Sequence, residues 1–131
     1  MNLKNKKILI TGATGGIGKC IVEKFSNLDS VILATGTNEE KLENLKKKFP
    51  KIHTEKFKLD EHKKIEEFIE EIDKFDCILM IDVMHHLQKE IQEILFRNII
   101  TSMKKNSLFI YKDISNRNRS FGKYLFVTMQ L

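Results

Sequence analysis

Five short apolar runs, separated by segments of helical period, constrain this chain more than any single motif. "KKILIT" (residues 6–11) stops at Gly12 and reads as a buried strand, after which Ile17, Ile21, Phe25 and Leu28 recur at helical spacing. "SVILAT" (30–35) is a second buried strand. "TNEEKLENLKKKF" (37–49) opens with Thr37 and Glu40 in capping-box spacing, carries Leu42, Leu45 and Phe49 on one face, and is closed by Pro50. "IHTEKFKL" (52–59) alternates as a third strand, and "DEHKKIEEFIEEIDKF" (60–75) places Ile65, Phe68, Ile69 and Ile72 on one stripe. "CILMI" (77–81) is a fourth strand. A helix follows over 88–105, with Ile91, Ile94, Leu95, Ile99 and Met103 on its apolar side, and "SLFIYKD" (107–113) is a fifth strand. The last eleven residues, "FGKYLFVTMQL", are apolar but carry no clear period.

Alternating apolar strands and amphipathic helices predict an α/β fold, with a parallel sheet covered by helices on both faces. Right-handed crossovers then give a doubly wound, three-layer α/β/α arrangement with strand order about 3-2-1-4-5. A length of 131 residues fits one domain over 1–131. A hydrophobic fraction of 41%, with nine Phe and a single Pro, fits a soluble globular protein. No apolar run approaches the roughly 20 residues that a membrane span requires. The start, "MNLKNKKILIT", lacks the long apolar core and cleavage flank of a secretion signal. Cys20 and Cys77 stand far apart without a C-x-x-C spacing, so two reduced, mostly buried thiols in a cytoplasmic protein are expected. The net charge of +5 comes mainly from dispersed Lys, with short runs at 46–48, 104–105 and 117–123. No basic-aromatic interleaving accompanies it, so no nucleic-acid partner is expected, and the charge favours an anionic ligand.

The motif at the end of the first strand is "TGATGGIG", Thr11 to Gly18. In a doubly wound sheet this turn lies at the carboxyl edge, at the switch point where ligands bind. Gly12 can leave the strand through a turn closed to bulkier residues. Gly16 and Gly18 remove side chains where a phosphate and the neighbouring strand approach the helix start. Backbone N–H groups around Ile17, with the positive end of the helix dipole, can meet a pyrophosphate. The alternative is a tight turn that merely packs. The loop is no Walker A site, because Ala13 stands five residues before Gly18 and Cys20 replaces the hydroxyl residue.

These residues resemble the T-G-x-x-x-G-x-G motif of short-chain dehydrogenases/reductases. With "VILATGTNEEKLENLKKKF" and "FKLDEHKKIEEFIEEIDKFD", residues 1–76 look like the front of a 3-oxoacyl-[acyl-carrier-protein] reductase with a Rossmann-like fold. The resemblance implies that Gly12, Thr14, Gly15, Gly16, Ile17 and Gly18 form the cofactor loop and that Asp60 meets the adenine. It also implies NADP as cofactor, with Thr37 near the 2′-phosphate, since "TGTN" supplies no acid for a ribose 2′-hydroxyl. NAD stays open as the alternative, because phosphate-type members often carry Arg where Gly15 stands. Thr37 and Asp60 also sit where helix N-caps belong. The family's N-A-G after the fourth strand is "MIDVM" here, and its Tyr-x-x-x-Lys pair is not met. Tyr111 is followed four residues on by Ser115, and Tyr124 by Thr128. Hydride transfer by that catalytic set is therefore not expected.

Residues 75–124 resemble a second family, class I S-adenosylmethionine-dependent methyltransferases, through Asp82-Val83-Met84-His85-His86-Leu87, the helix after it and the strand ending in Lys-Asp. That resemblance implies that residues after the fourth strand line the methionine side of S-adenosylmethionine. The acids which that family carries before its Gly-rich loop and after its second strand are missing. The chain reads as a reductase-like front (1–76) and a methyltransferase-like back (77–131) sharing one order of strands and helices. A folded remnant or interaction module is the third reading.

Three weaker constellations complete the sequence. Adjacent His85 and His86 point different ways and suggest no metal site. Asp82 and Asp113, at strand ends near the ligand edge, read as substrate-polarising carboxylates or, alternatively, as helix caps and solvent-facing groups. An apolar "KYLFVTMQL" beyond a five-stranded sheet calls for cover, which predicts a homo-oligomer assembled through this C-terminal segment.

Overall fold

A computed structural model describes residues 2–57 and 74–113, and the backbone of 127–130. Six strands form one sheet: β1 (Lys7–Thr11), β2 (Val31–Gly36), β3 (His53–Lys56), β4 (Phe75–Ile81), β5 (Met103–Lys112) and β6 (Val127–Gln130). Their spatial order is β3-β2-β1-β4-β5-β6. The first five strands are parallel, in the expected order 3-2-1-4-5, and the fold is Rossmann-like. The sixth pairs antiparallel with β5, Leu108 opposite Gln130 and Tyr111 opposite Val127. Part of the apolar tail is thus used inside the chain's own sheet.

Three α-helices are described, α1 (Gly16–Ser26), α2 (Glu39–Lys48) and α3 (Lys89–Thr101), with a short 3-10 helix at Met84–His86. Most of the helix expected over 60–75 lies outside the described residues, as does Asp60. Phe75 opens β4 instead of closing that helix.

Alternation along the central strands divides the core in two. Ile8 and Ile10 of β1 and Cys77, Leu79 and Ile81 of β4 point to one face, where Val22 of α1 and Leu45 of α2 cover them. Leu9, Ile78 and Met80 point to the other, where Leu95 and Ile99 of α3 pack with Met103 and Phe109. Helices on opposite faces follow from right-handed crossovers running outward from β1 in both directions.

Four local expectations are corrected. The buried line of α1 is Gly18 and Val22, with Ile21 and Phe25 half-buried, whereas Ile17 and Leu28 are each 47% exposed. The helix is rotated because it docks through Gly18, where a Cβ would lie 2.2 Å from the Gly12 carbonyl oxygen. The same rotation leaves Cys20 exposed; only Cys77 is buried. At α2 the cap is Asn38, whose Oδ1 accepts from Lys41 N at 2.9 Å, and not Thr37. Finally, α3 ends at Thr101 and β5 begins at Met103, because Met103 pairs with Phe75 and buries its side chain. The extra residues before Leu108 are absorbed in a bulge, with Asn106 at φ 62°.

Candidate functional site

β1 and β4 run side by side, yet the chain leaves them toward opposite faces, so a crevice opens at their carboxyl ends. It is a cleft of about 430 Å³. Thr11, Gly12 and Thr14 form one wall, Thr35, Gly36, Thr37 and Phe57 a second, and Asp82, Val83, His86 and Leu87 the third. Among the described residues the cleft therefore takes in the end of β1, the end of β2 with the residue after β3, and the segment after β4.

Glycine shapes the first wall. Gly12 adopts φ +67°, and a Cβ there would lie 2.6 Å from the Ile81 carbonyl oxygen, so no side chain fits between the strand ends. Gly18 brings α1 against the same turn. Gly36 is tight in a different way: a Cβ would stand 3.0 Å from both Thr14 Cγ2 and Thr14 Oγ1, so a bulkier residue would push the Thr14 side chain out of place. Gly15 is the N-cap of α1 and offers no side-chain acceptor. The first amides of α1, at Gly16, Ile17 and Gly18, have no partner within their own helix for geometric reasons. By contrast, α2 satisfies such an amide with Asn38.

The candidate residues read from the sequence thus separate by position. Gly12, Thr14 and Thr37 line the cleft, and Thr37, released from capping, is free to do so. Gly15 and Gly16 lie at the helix start beside it, and a Cβ on Gly16 would meet nothing within 4 Å. Ile17 follows in the first turn of α1, outside the cleft lining, and it joins Cys20, Ile21 and Phe25 in a shallow apolar surface groove on α1. Asp60 lies outside the described residues.

The third wall carries groups whose roles the sequence left undecided. Asp82, at φ +51°, forms an ion pair with Lys112 Nζ, whose side chain is only 9% exposed. Asp113 is buried and accepts from His85 N at 2.9 Å, His85 Nδ1 at 2.5 Å and the Tyr111 hydroxyl at 3.1 Å. Asp82 is not the N-cap of the short 3-10 helix Met84–His86, whose N-cap is Val83, whereas Asp113 accepts from an amide of that helix, as the capping reading expects. Burial, followed by the charge of Asp113 and its hydrogen bond, pushes the Tyr111 phenol up to about 12, so it stays a donor. The ring of His85 lies 3.9 Å, centroid to centroid, from that of His86. No sequence spacing reveals the His85–Asp113 pair, since 28 positions separate its partners and only the β4–β5 pairing brings them together. Among the described residues no three His, Cys, Asp or Glu side chains converge as a metal site. Nor is any described helix long and apolar enough to cross a membrane.

The family model for short chain dehydrogenase matches residues 6–94. Over 85 residues the chain is 32% identical to dehydrogenase/reductase SDR family member 6 of Rattus norvegicus, covering 64% of this chain and 34% of that protein. It is 47% identical over 47 residues to the 3-oxoacyl-[acyl-carrier-protein] reductase of Rickettsia conorii, covering 36% of this chain and 20% of the relative. It is 44% identical over 39 residues to the NADP-dependent 3-hydroxy acid dehydrogenase of Escherichia coli K12, covering 30% of this chain and 16% of that enzyme. The chain therefore spans about a third of the length of the first of these relatives, and less of the others. Among solved structures, a TehB-like SAM-dependent methyltransferase of Corynebacterium glutamicum superposes with TM-score 0.68 at 21% identity, over 90% of this chain and 60% of that one. A short-chain dehydrogenase/reductase of Brucella melitensis superposes with TM-score 0.66 at 18% identity, over 84% of this chain and 55% of that one. At such identities the two structures are alike in fold alone.

Proposed function

The chain belongs to the short-chain dehydrogenase family, and we propose that its cleft holds a nicotinamide dinucleotide, NADP(H), by the pyrophosphate. The turn from Gly12 to Gly18 carries this reading. Positions 12 and 18 exclude a Cβ, and α1 begins at a cap without a side chain. An anion can then take the free amides of Gly16, Ile17 and Gly18 at the positive end of the helix dipole. Thr14 and Gly15 complete the loop, Thr37 is assigned to the 2′-phosphate, and Asp60 to the adenine. NADP is favoured over NAD because β2 ends at Gly36 and is followed by Thr37 and Asn38, with no carboxylate at these positions to accept from a ribose 2′-hydroxyl. The E. coli relative, an NADP-dependent enzyme by name, supports the same choice. When bound, the nicotinamide supplies a hydride acceptor or donor.

The Ser and Tyr-x-x-x-Lys set that the family resemblance implies has no counterpart in this sequence, so the proposal is for cofactor binding by one domain. Two unpaired cysteines favour the cytoplasm. A homo-oligomer, assembled along the C-terminal strand, is part of the proposal.

S-adenosylmethionine is the second reading, favoured by one observation: Asp82, Val83, His86 and Leu87, from the methyltransferase-like run, line the cleft. Thermal-shift and calorimetric titrations with NADPH, NADH and S-adenosylmethionine separate the two. NADPH at 100 times its Kd is expected to stabilise the protein by about 2.7 kcal/mol. Gly16→Asp should abolish that response while leaving the fold intact, since the position is open but would bring a carboxylate to the pyrophosphate. Stabilisation by S-adenosylmethionine alone would move the function to the second reading. Stabilisation by none of the three leaves a folded module with an empty cleft.

A further inference from the structure

We propose that the Asp82–Lys112 ion pair is a specificity element of the cleft: its carboxylate receives an uncharged, hydroxyl-bearing part of the ligand and keeps phosphate off the third wall. The proposal rests on the cofactor reading and deepens it. It assigns a sugar of the phosphorylated nucleotide to this wall and leaves the pyrophosphate to the start of α1.

The pair is fixed by backbone and side chain together. Ile81 is the register partner of Lys112 in the sheet, and Asp82 N donates to the Lys112 carbonyl at 2.8 Å. At φ +51° Asp82 then occupies a left-handed turn, a conformation that Asp and Asn tolerate better than most residues. Lys112 Nζ donates to both carboxylate oxygens. The two ends of the pair differ in exposure. The Asp82 side chain keeps 30% of its surface and lines the cleft, whereas that of Lys112 keeps 9% and is not part of the lining. Among the described lining residues there is no other carboxylate and no Lys or Arg. The carboxylate, and not the ammonium, is therefore the charged group that a ligand meets at this wall.

A carboxylate only accepts hydrogen bonds, and two bonds from Lys112 leave it lone pairs for a hydroxyl donor. A pyrophosphate oxygen brings no proton and meets a like charge there. The start of α1 has the opposite preference, since amides and the helix dipole attract an anion. One wall draws phosphate and another refuses it, which fixes the direction in which a nucleotide lies. Neutralising Asp82 makes the third wall one unit more positive, whatever else Lys112 touches. Neutralising Lys112 makes it one unit more negative. The two changes break the same ion pair, yet they should act on an anionic ligand in opposite directions. A pair that only held the fold together would weaken binding both ways.

The test is calorimetric titration of the full chain, at low ionic strength, with inorganic pyrophosphate, adenosine and NADPH. Asp82→Asn keeps an oxygen for Lys112 and a residue type suited to the turn, and should tighten pyrophosphate about tenfold. Lys112→Met should weaken it by a similar factor, and the double variant should return close to the wild type. Adenosine, which has the hydroxyls but no phosphate, should bind Asp82→Asn no more tightly than the wild type. With Gly16→Asp blocking the start of α1, pyrophosphate binding should be lost, and adding Asp82→Asn should restore it. If Lys112→Met fails to fold, Asp82→Asn and the Gly16→Asp background decide alone. The proposal is overturned by pyrophosphate affinity unchanged or lowered in Asp82→Asn, or unchanged or raised in Lys112→Met. Equal tightening of adenosine, or no recovery in the Gly16→Asp background, overturns it as well. Failure of the wild type to bind NADPH instead overturns the cofactor reading, while the pyrophosphate comparison still decides what Asp82 does.

Discussion

Asp76 sets the cost of a partly buried carboxyl against three lysines. Burial by itself would raise its pKa. The hydrogen bonds from Lys104 Nζ at 2.8 Å and Lys7 N at 2.9 Å, with the charges of Lys104 and Lys6, outweigh it and hold the carboxyl below its ordinary value. A carboxyl depressed in the folded state stabilises that state above its unfolded pKa, and the contribution is lost as pH falls through the folded pKa. Stability should therefore drop below about pH 4. Asp76→Asn should cost about 1 kcal/mol at neutral pH and flatten this acid limb. Urea unfolding of both proteins at pH 7 and pH 3 checks it, and an unchanged acid limb in the variant would exclude Asp76 as its source. At this scale Gly12 was readable in advance, because a positive φ at a strand end leaves a mark in residue type. The His85–Asp113 pair left none.

Helix ends are where local sequence gave the right signal at the wrong position. Thr37 and Glu40 have capping-box spacing, but Asn38 also precedes the first turn, and its side chain reaches Lys41 N. The one-residue difference matters because it leaves Thr37 in the cleft wall. Asn38→Ala should lower stability by about 1 kcal/mol, measurable as a shift in urea midpoint with the slope unchanged. Likewise, the periodicity of α1 predicted a helix but not its rotation. Hydrophobic spacing places Ile17 inside, whereas the close approach of Gly18 to Gly12 turns it outward. The α3–β5 boundary moved for a tertiary reason too, since Met103 suits a helix stripe as well as it suits pairing with Phe75.

For the molecule as a whole, the alternation of apolar runs was enough to place five strands in order, because crossover handedness leaves few arrangements. It could not place β6, whose position depends on pairing with β5 rather than on any period of its own. Among the described strands, β6 lies at one end of the sheet and β3 at the other. An edge strand presents unpaired backbone groups that a second copy can meet. The proposed homo-oligomer is then expected to form along β6, and Thr128→Pro should weaken it by removing a backbone donor. Sedimentation velocity across a concentration series reads this directly, and a wild type that stays monomeric throughout would rule the assembly out.

The central pairing of β1 with β4 has a consequence for synthesis. Their partners are separated by about 69 positions, as between Lys7 and Asp76. On a ribosome, β1 can acquire β2 early but must wait for more than half the chain before its other flank is met. Through that interval Ile8, Leu9 and Ile10 line a bare edge at the future centre of the sheet, and nascent-chain chaperones would find their target there.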